Sequence, residues 1–83
     1  MTIGQAIADL RKNKNLSQAE LARMLHVAPS TVGMWETDQR AVKDEQIVKI
    51  AEFFGVSSDY LLGLSKFKVV SVPKLTNNIN VYG

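Results

Sequence analysis

Residues 17 to 36 read SQAELARMLHVAPSTVGMWE, and this stretch decides the fold. Ser17 followed three places on by Glu20 has the form of a capping box, in which each side chain satisfies a backbone N–H that the first helical turn leaves without a partner. Leu21, Ala22 and Leu25 then recur at helical spacing and supply one buried stripe. A short helix over about Gln18 to Leu25 is expected. His26-Val27-Ala28 separates it from Pro29, which has no N–H to lose at the first position of a helix and presets φ, so the next helix starts there. Val32 and Trp35, three apart, share the inward face, leaving Ser30, Gly33, Met34 and Thr37 as a small, uncharged outer stripe. From spacing alone, an ordinary helical hairpin fits as well.

Working outward, Thr2 with Gln5 makes a second capping box, and Ile3, Ile7 and Leu10 continue it at helical spacing. That helix is expected over about Ile3 to Lys12. Asn13-Lys14-Asn15 ends it, since Asn tolerates left-handed backbone and competes for backbone hydrogen bonds. On the other side, Thr37 to Lys43 is a polar connection, and Ile47, Ile50, Ala51 and Phe54 mark a fourth helix that stops before Gly55 as C-cap. Ser57 or Ser58 caps a fifth, with Asp59 near its N-terminal dipole, Leu61-Leu62 packing inward and Gly63 closing it. Beyond Gly63 the pattern changes. FKVVSV, residues 67 to 72, is rich in β-branched residues, Pro73 interrupts, Asn77-Asn78 suggests a turn and INVYG resumes extended character. The expected class is all-α: a compact five-helix domain over residues 1–63 with a short extended C-terminal tail, 64–83.

The 83 residues, 46% hydrophobic, suit one small domain. A chain this short removes only about 60% of its unfolded surface from water, which leaves no room for a large cofactor cleft. Zero cysteines exclude disulfides and thiolate zinc sites, and the lone His26 has no partner set for metal binding or catalysis. No cofactor, metal or small-molecule substrate is expected. No apolar run approaches the roughly 20 residues of a membrane span, so a soluble cytoplasmic protein is the expectation. Ten Lys+Arg against eight Asp+Glu give a net charge of +2, short of a polybasic signature. Residues 1–40 and 41–83 each hold five basic and four acidic side chains. Any surface for an anionic partner must come from local arrangement.

The specific residues of SQAELARMLHVAPSTVGMWE resemble the helix-turn-helix of the Cro and lambda-type repressor family, with the small Ala22 where the two helices approach closely. The likeness continues through ETDQRAVKDEQIVKIAEFFGVSSDYLLG and covers about residues 3 to 63. It implies five short helices, the third lying in a DNA major groove. Three positions depart from the family pattern. His26 stands where the turn usually has Gly and is expected to adopt positive φ; Ala28 replaces a hydroxyl N-cap; Asp38 replaces a common Gly after helix 3.

The resemblance assigns roles. Gln18 matches the phosphate-contacting position at the start of helix 2, where free N–H groups suit an anion. Arg40 and Lys43, just after helix 3, match further phosphate contacts. Pro29, Ser30, Thr31, Gly33 and Met34 match the major-groove positions, with Gln39 near the groove edge. No Arg, Asn or Gln stands among those five, so the bidentate pairs that discriminate guanine or adenine are missing from the helix face. Thr31 and Met34 offer apolar contact to thymine methyl groups, which points to A·T-rich sites and to DNA deformability. Arg11 and Glu36 match a pair of positions that often form an internal ion pair. Trp35 reads as core; Asp44, Glu45 and Glu52 read as a solvated face.

The implied function is a sequence-specific double-stranded-DNA-binding regulator, a phage-type repressor occupying a two-fold-related operator as a weak homodimer that pairs on DNA. The alternative is a protein-bridging transcriptional cofactor on the same fold, placed second because such relatives usually carry a long basic segment before helix 1. An enzyme is the weakest option, because no Cys, one His and scattered carboxylates provide no nucleophile, base and orienter set. VSVPKLTNNINVYG, residues 70–83, also resembles the lead-in to the C-terminal dimerisation and self-cleavage domain of longer phage repressors related to LexA. The tail is thus either an unstructured terminus or a linker to a further domain.

Overall fold

The computed structural model describes residues 1–64. Their regular structure is five helices: α1 Ile3–Asn13, α2 Gln18–Leu25, α3 Pro29–Glu36, α4 Asp44–Phe54 and α5 Ser58–Leu61. The all-α, five-helix architecture expected from the sequence is the one observed. The expectations for FKVVSV, Pro73, Asn77-Asn78, INVYG and the extended tail lie outside the described residues.

Both capping boxes form. Thr2 and Gln5 exchange bonds of 2.9 and 3.1 Å, and Ser17 and Glu20 exchange bonds of 2.8 and 3.0 Å. The Ser17 backbone N–H, and then its hydroxyl, hold the Glu20 carboxyl below the usual carboxylate range. Ser57 rather than Ser58 caps α5, its Oγ accepting from Tyr60 N at 3.0 Å. Ala28 and Lys43 cap α3 and α4 without a side-chain bond.

All five helices end in the same way, with one residue in the left-handed region and a pair of backbone bonds closing the last turn. The left-handed residues are Asn15, His26, Asp38, Gly55 and Gly63, with φ of 58°, 61°, 61°, 68° and 77°. In each case the next residue's N–H reaches back five positions: Leu16 to Arg11, Val27 to Ala22, Gln39 to Met34, Val56 to Ala51 and Leu64 to Asp59, all at 2.8–3.1 Å. This is the Schellman motif, which satisfies carbonyls that the helix end leaves open. His26 adopts the positive φ expected of it. A non-glycine residue in this region is strained, least so for Asn, Asp and His, and these are the three types found here.

The core is built on Trp35, Ile7, Leu21, Ile50, Val32 and Leu61, each under 2% exposed. Ala22, on α2, is fully buried. Phe54 is only partly buried and meets Phe53 edge-on, with ring centroids 4.9 Å apart. One expectation is corrected. Leu62 does not pack inward: it is 49% exposed, because α5 ends at Leu61, which takes the single inward position of a one-turn helix. Helix 4 begins at Asp44, directly after the Thr37 to Lys43 connection as expected, and Asp44 and Glu45 there complement the positive end of the helix dipole.

Where α1 crosses the end of α3, the chain has Gly4. A Cβ at this position would stand 2.1 Å from the Trp35 carbonyl oxygen and 2.6 Å from Asp38 Oδ1. The same junction carries a bond from Thr2 Oγ1 to Asp38 Oδ2 at 3.0 Å. Backbone contact here seats α1 against α3 and so fixes the face that α3 turns outward.

Candidate nucleic-acid interface

Gln18 is the first residue of α2, and its side chain is exposed. The capping box uses the N–H groups of Ser17 and Glu20, and Gln18 and Ala19, both exposed, occupy the first two positions of α2, where the helix start leaves N–H groups of the kind that suit an anion. The Gln18 side-chain amide donates from Nε2 to Glu36 Oε1 at 3.0 Å. It also lies over Gly33, where a Cβ would sit 3.5 Å from Gln18 Oε1. The expected phosphate contact and an expected base contact are thereby brought side by side.

Glu36 is the last residue of α3, and only 7% of its side chain is exposed. Arg11, 12% exposed, reaches it from α1 with a fork: Nε to Oε2 at 2.6 Å and Nη2 to Oε1 at 3.1 Å. The remaining guanidinium nitrogen, Nη1, donates to the Leu16 carbonyl at 2.7 Å. A carboxylate this covered needs its charge neutralised and its oxygens hydrogen-bonded, and both conditions are met. One carboxylate thus fastens α1, α2 and α3.

On α3, Pro29 and Ser30 are exposed, while Thr31, Gly33 and Met34 are partly covered. At the other end of the helix, roughly 12 Å away for eight residues, the Met34 carbonyl accepts from Gln39 N at 2.8 Å and Arg40 N at 3.3 Å. The Thr37 hydroxyl donates to Gly33 O at 3.1 Å. These bonds fold the loop onto the helix end and hold the backbones of Gln39 and Arg40 beside it, with both side chains exposed. Lys43 is exposed as well, but it stands at the N-cap of α4 on the rim of a separate hollow shared with His26 and Lys49.

A helix-turn-helix family model matches residues 7–61. This chain belongs to the helix-turn-helix family. The protein is 30% identical over 81 residues to the HTH-type transcriptional activator BcrR of Enterococcus faecalis, an alignment covering 98% of this chain and 39% of that one. It is 29% identical over 77 residues to the HTH-type transcriptional regulator ImmR of Bacillus subtilis (strain 168), covering 93% of this chain and 61% of that protein. The helix-turn-helix protein therefore spans less than two thirds of either relative. Among solved structures it is similar to the P22 c2 repressor protein in complex with a synthetic operator, with TM-score 0.73 and 26% identity over 78% of this chain and 98% of that one.

Two features of this helix-turn-helix protein were not singled out from the sequence. Gly4 is one, because nothing local marks the approach of a distant carbonyl. The bond from Gln18 to Glu36 is the other; its signal was present in the resemblance that assigned Glu36 an internal partner, but not in the spacing of the two residues. Among the described residues no group of His, Cys, Asp and Glu is arranged to hold a metal, and no helix is long and apolar enough to cross a membrane.

Proposed function

We propose that this protein is a sequence-specific double-stranded-DNA-binding transcriptional regulator, and that it acts as a phage-type repressor on a two-fold-related operator. The observation that carries the reading is the joint between α2 and α3: Gln18, exposed at the start of α2, lies over Gly33 and is tied to the end of α3 through Glu36. Family and fold, those of DNA-binding regulators that are not enzymes, support it.

In this reading the α2 N-terminus and Gln18 grip a phosphate, Arg40 and Lys43 grip others, and Pro29, Ser30, Thr31, Gly33, Met34 and Gln39 meet base edges. The Arg11 charge cancels that of Glu36, which would otherwise repel a phosphate next to Gln18. Most of the affinity comes from phosphate contacts and is salt-dependent. Base discrimination comes from small and apolar side chains, which favours A·T-rich half-sites. Residues 1–63 form the DNA-binding unit, and residues 64–83 serve as a linker or tail. The unit pairs weakly and dimerises on DNA when two half-sites lie about one helical turn, roughly 34 Å, apart.

Selection of bound duplexes from a random pool tests the proposal. A two-fold symmetric, A·T-rich motif is the expected result. Failure to enrich any motif would sink it and favour a protein-bridging role. Sedimentation equilibrium with and without residues 64–83 tests the weak pairing: a tight dimer that becomes monomeric on truncation would make the tail a dimerisation element instead.

A further inference from the structure

The charge of the chain divides unevenly at the end of α5. Residues 1–64 hold seven Lys and Arg against eight Asp and Glu, whereas residues 65–83 hold Lys66, Lys68 and Lys74 and no acidic side chain. The five-helix unit is therefore net −1 and the remaining segment +3. Within the unit, Arg11 is already committed to Glu36. A negative unit repels a duplex at long range, and an affinity built on phosphate contacts needs a supply of cations. The uncompensated cations of this chain stand beyond the helices.

The point where the chain leaves α5 is the second observation. Leu64 is 74% exposed and is held to α5 by its N–H, which donates to Asp59 O at 2.8 Å. Its neighbour Gly63 lies beside the start of α1, since a Cβ there would stand 3.9 Å from the Met1 carbonyl oxygen. Thr2, the next residue, donates from Oγ1 to Asp38 Oδ2 at 3.0 Å. Asp38 in turn leads directly into Gln39 and Arg40, whose N–H groups hold the loop to the end of α3. Two contacts thus connect the exit of the chain to the loop that carries Arg40. Lys66 stands two residues past Leu64 and Lys74 ten residues past it. Ten residues span at most roughly 35 Å, about one helical turn of DNA.

We infer that residues 65–83 supply a second DNA contact, in which Lys66, Lys68 and Lys74 neutralise phosphates that flank the half-site met by α3. The inference rests on the DNA-binding reading above and adds to it the source of most of the electrostatic attraction. A lysine ammonium is a point charge on a flexible stem, so it suits a phosphate and selects no base. This contact therefore raises affinity for every duplex alike and leaves discrimination to α3.

The experiment compares the full chain with a full-length triple variant, Lys66→Gln, Lys68→Gln and Lys74→Gln, whose changes all lie beyond the five helices. A second variant, Lys12→Gln with Lys49→Gln, removes charge at exposed positions of α1 and α4 and controls for net charge alone. Each is titrated on selected and scrambled duplexes over a range of salt. The triple variant should lower the salt slope by about 2 to 3, close to 0.9 for each lost phosphate contact. At about 0.1 M salt it should bind both duplexes about tenfold or more weakly. The control should change the slope by well under one. Lengthening the selected duplex by about ten base pairs on each side, one helical turn, should strengthen binding of the parent chain and not of the triple variant. A triple variant that keeps the parent's slope, or loses no more slope per charge than the control, overturns the inference; the DNA-binding reading then still stands if Arg40→Ala lowers the slope by about one. A parent chain that binds neither duplex overturns both.

Discussion

The side-chain amide of Gln18 donates to Glu36 Oε1 at 3.0 Å, so the residue proposed to meet a phosphate is held by the carboxylate that Arg11 neutralises. In the proposed reading, stability and recognition share one group. The carboxylate is nearly out of solvent, and removing its cation strands a buried charge, which costs about 3 to 5 kcal/mol.

Arg11→Ala and Glu36→Ala should each destabilise the fold on that scale, and the double mutant should lose clearly less than the two single losses combined, because the second truncation removes the charge stranded by the first. Urea unfolding of the four proteins measures it. Strictly additive losses would mean that the pair seen at 2.6 Å contributes nothing as a pair.

Gly4→Ala should be among the most damaging single-methyl changes. The new Cβ meets a backbone carbonyl 2.1 Å away, and a backbone cannot swing aside as a flexible side chain can. Overpacking of this kind costs about 1 to 3 kcal/mol or more. Gly4→Ala in thermal and urea melts, beside Ala8→Gly as a helix-propensity control, decides it. Stability unchanged by the added methyl would show that α1 and α3 do not meet as described.

How far the sequence was legible depended on the range of the interaction. Three helix ends were marked locally, by Asn13 to Asn15, Gly55 and Gly63, because the left-handed residue of a Schellman motif leaves a compositional trace; those at His26 and Asp38 were legible only through the family resemblance, which has Gly at both places. Capping boxes at Thr2 and Ser17 are likewise local, each spanning four residues. The need for Gly4 was not legible, since its partners, Trp35 and Asp38, lie more than thirty positions away. Leu62 misled because two adjacent leucines cannot both face inward from a single turn. For the candidate site, residue types announced the roles only through family resemblance; no spacing in the sequence reveals that Gln18 rests on Gly33.

His26→Gly should stabilise the protein. At φ 61° a side chain with a Cβ is strained by an amount on the order of 1 kcal/mol, part of which is returned as the greater entropy of unfolded glycine. A gain of about 0.5 kcal/mol is expected, against a loss for His26→Val, whose β-branch tolerates this region least. Asp38→Gly should gain nothing, because it also removes the acceptor for Thr2 Oγ1. Urea midpoints that rank Val above Gly at position 26 would contradict the turn geometry.

Arg40→Ala should weaken binding to selected and scrambled duplexes by a similar factor and reduce the salt slope by about one, since a phosphate contact is indifferent to sequence. Met34→Ala should mainly relax preference at one base pair, by about 1 kcal/mol or less. Titrations of each variant on both duplexes, over a range of salt, separate the two behaviours. An equal loss on both duplexes for Met34→Ala would remove Met34 from the groove.

Gly33→Ala separates the demands of the fold from those of the proposed interface. Glycine inside a helix is less favourable than alanine by about 1 kcal/mol, so its presence in α3 needs a reason. Packing does not supply one: the nearest atoms a Cβ there would meet are those of the Gln18 amide, at 3.5 to 3.9 Å, which is ordinary contact. Nor does the backbone, because Gly33 is absent from the positive-φ residues. The proposed reading supplies one: close approach of a base edge in the major groove. Gly33→Ala should therefore raise the urea midpoint, by a stability gain of about 0.5 to 1 kcal/mol, while weakening binding to the selected duplex severalfold. A variant that is both more stable and undiminished in DNA binding would show that the face of α3 carrying Gly33 is not the one that reads DNA.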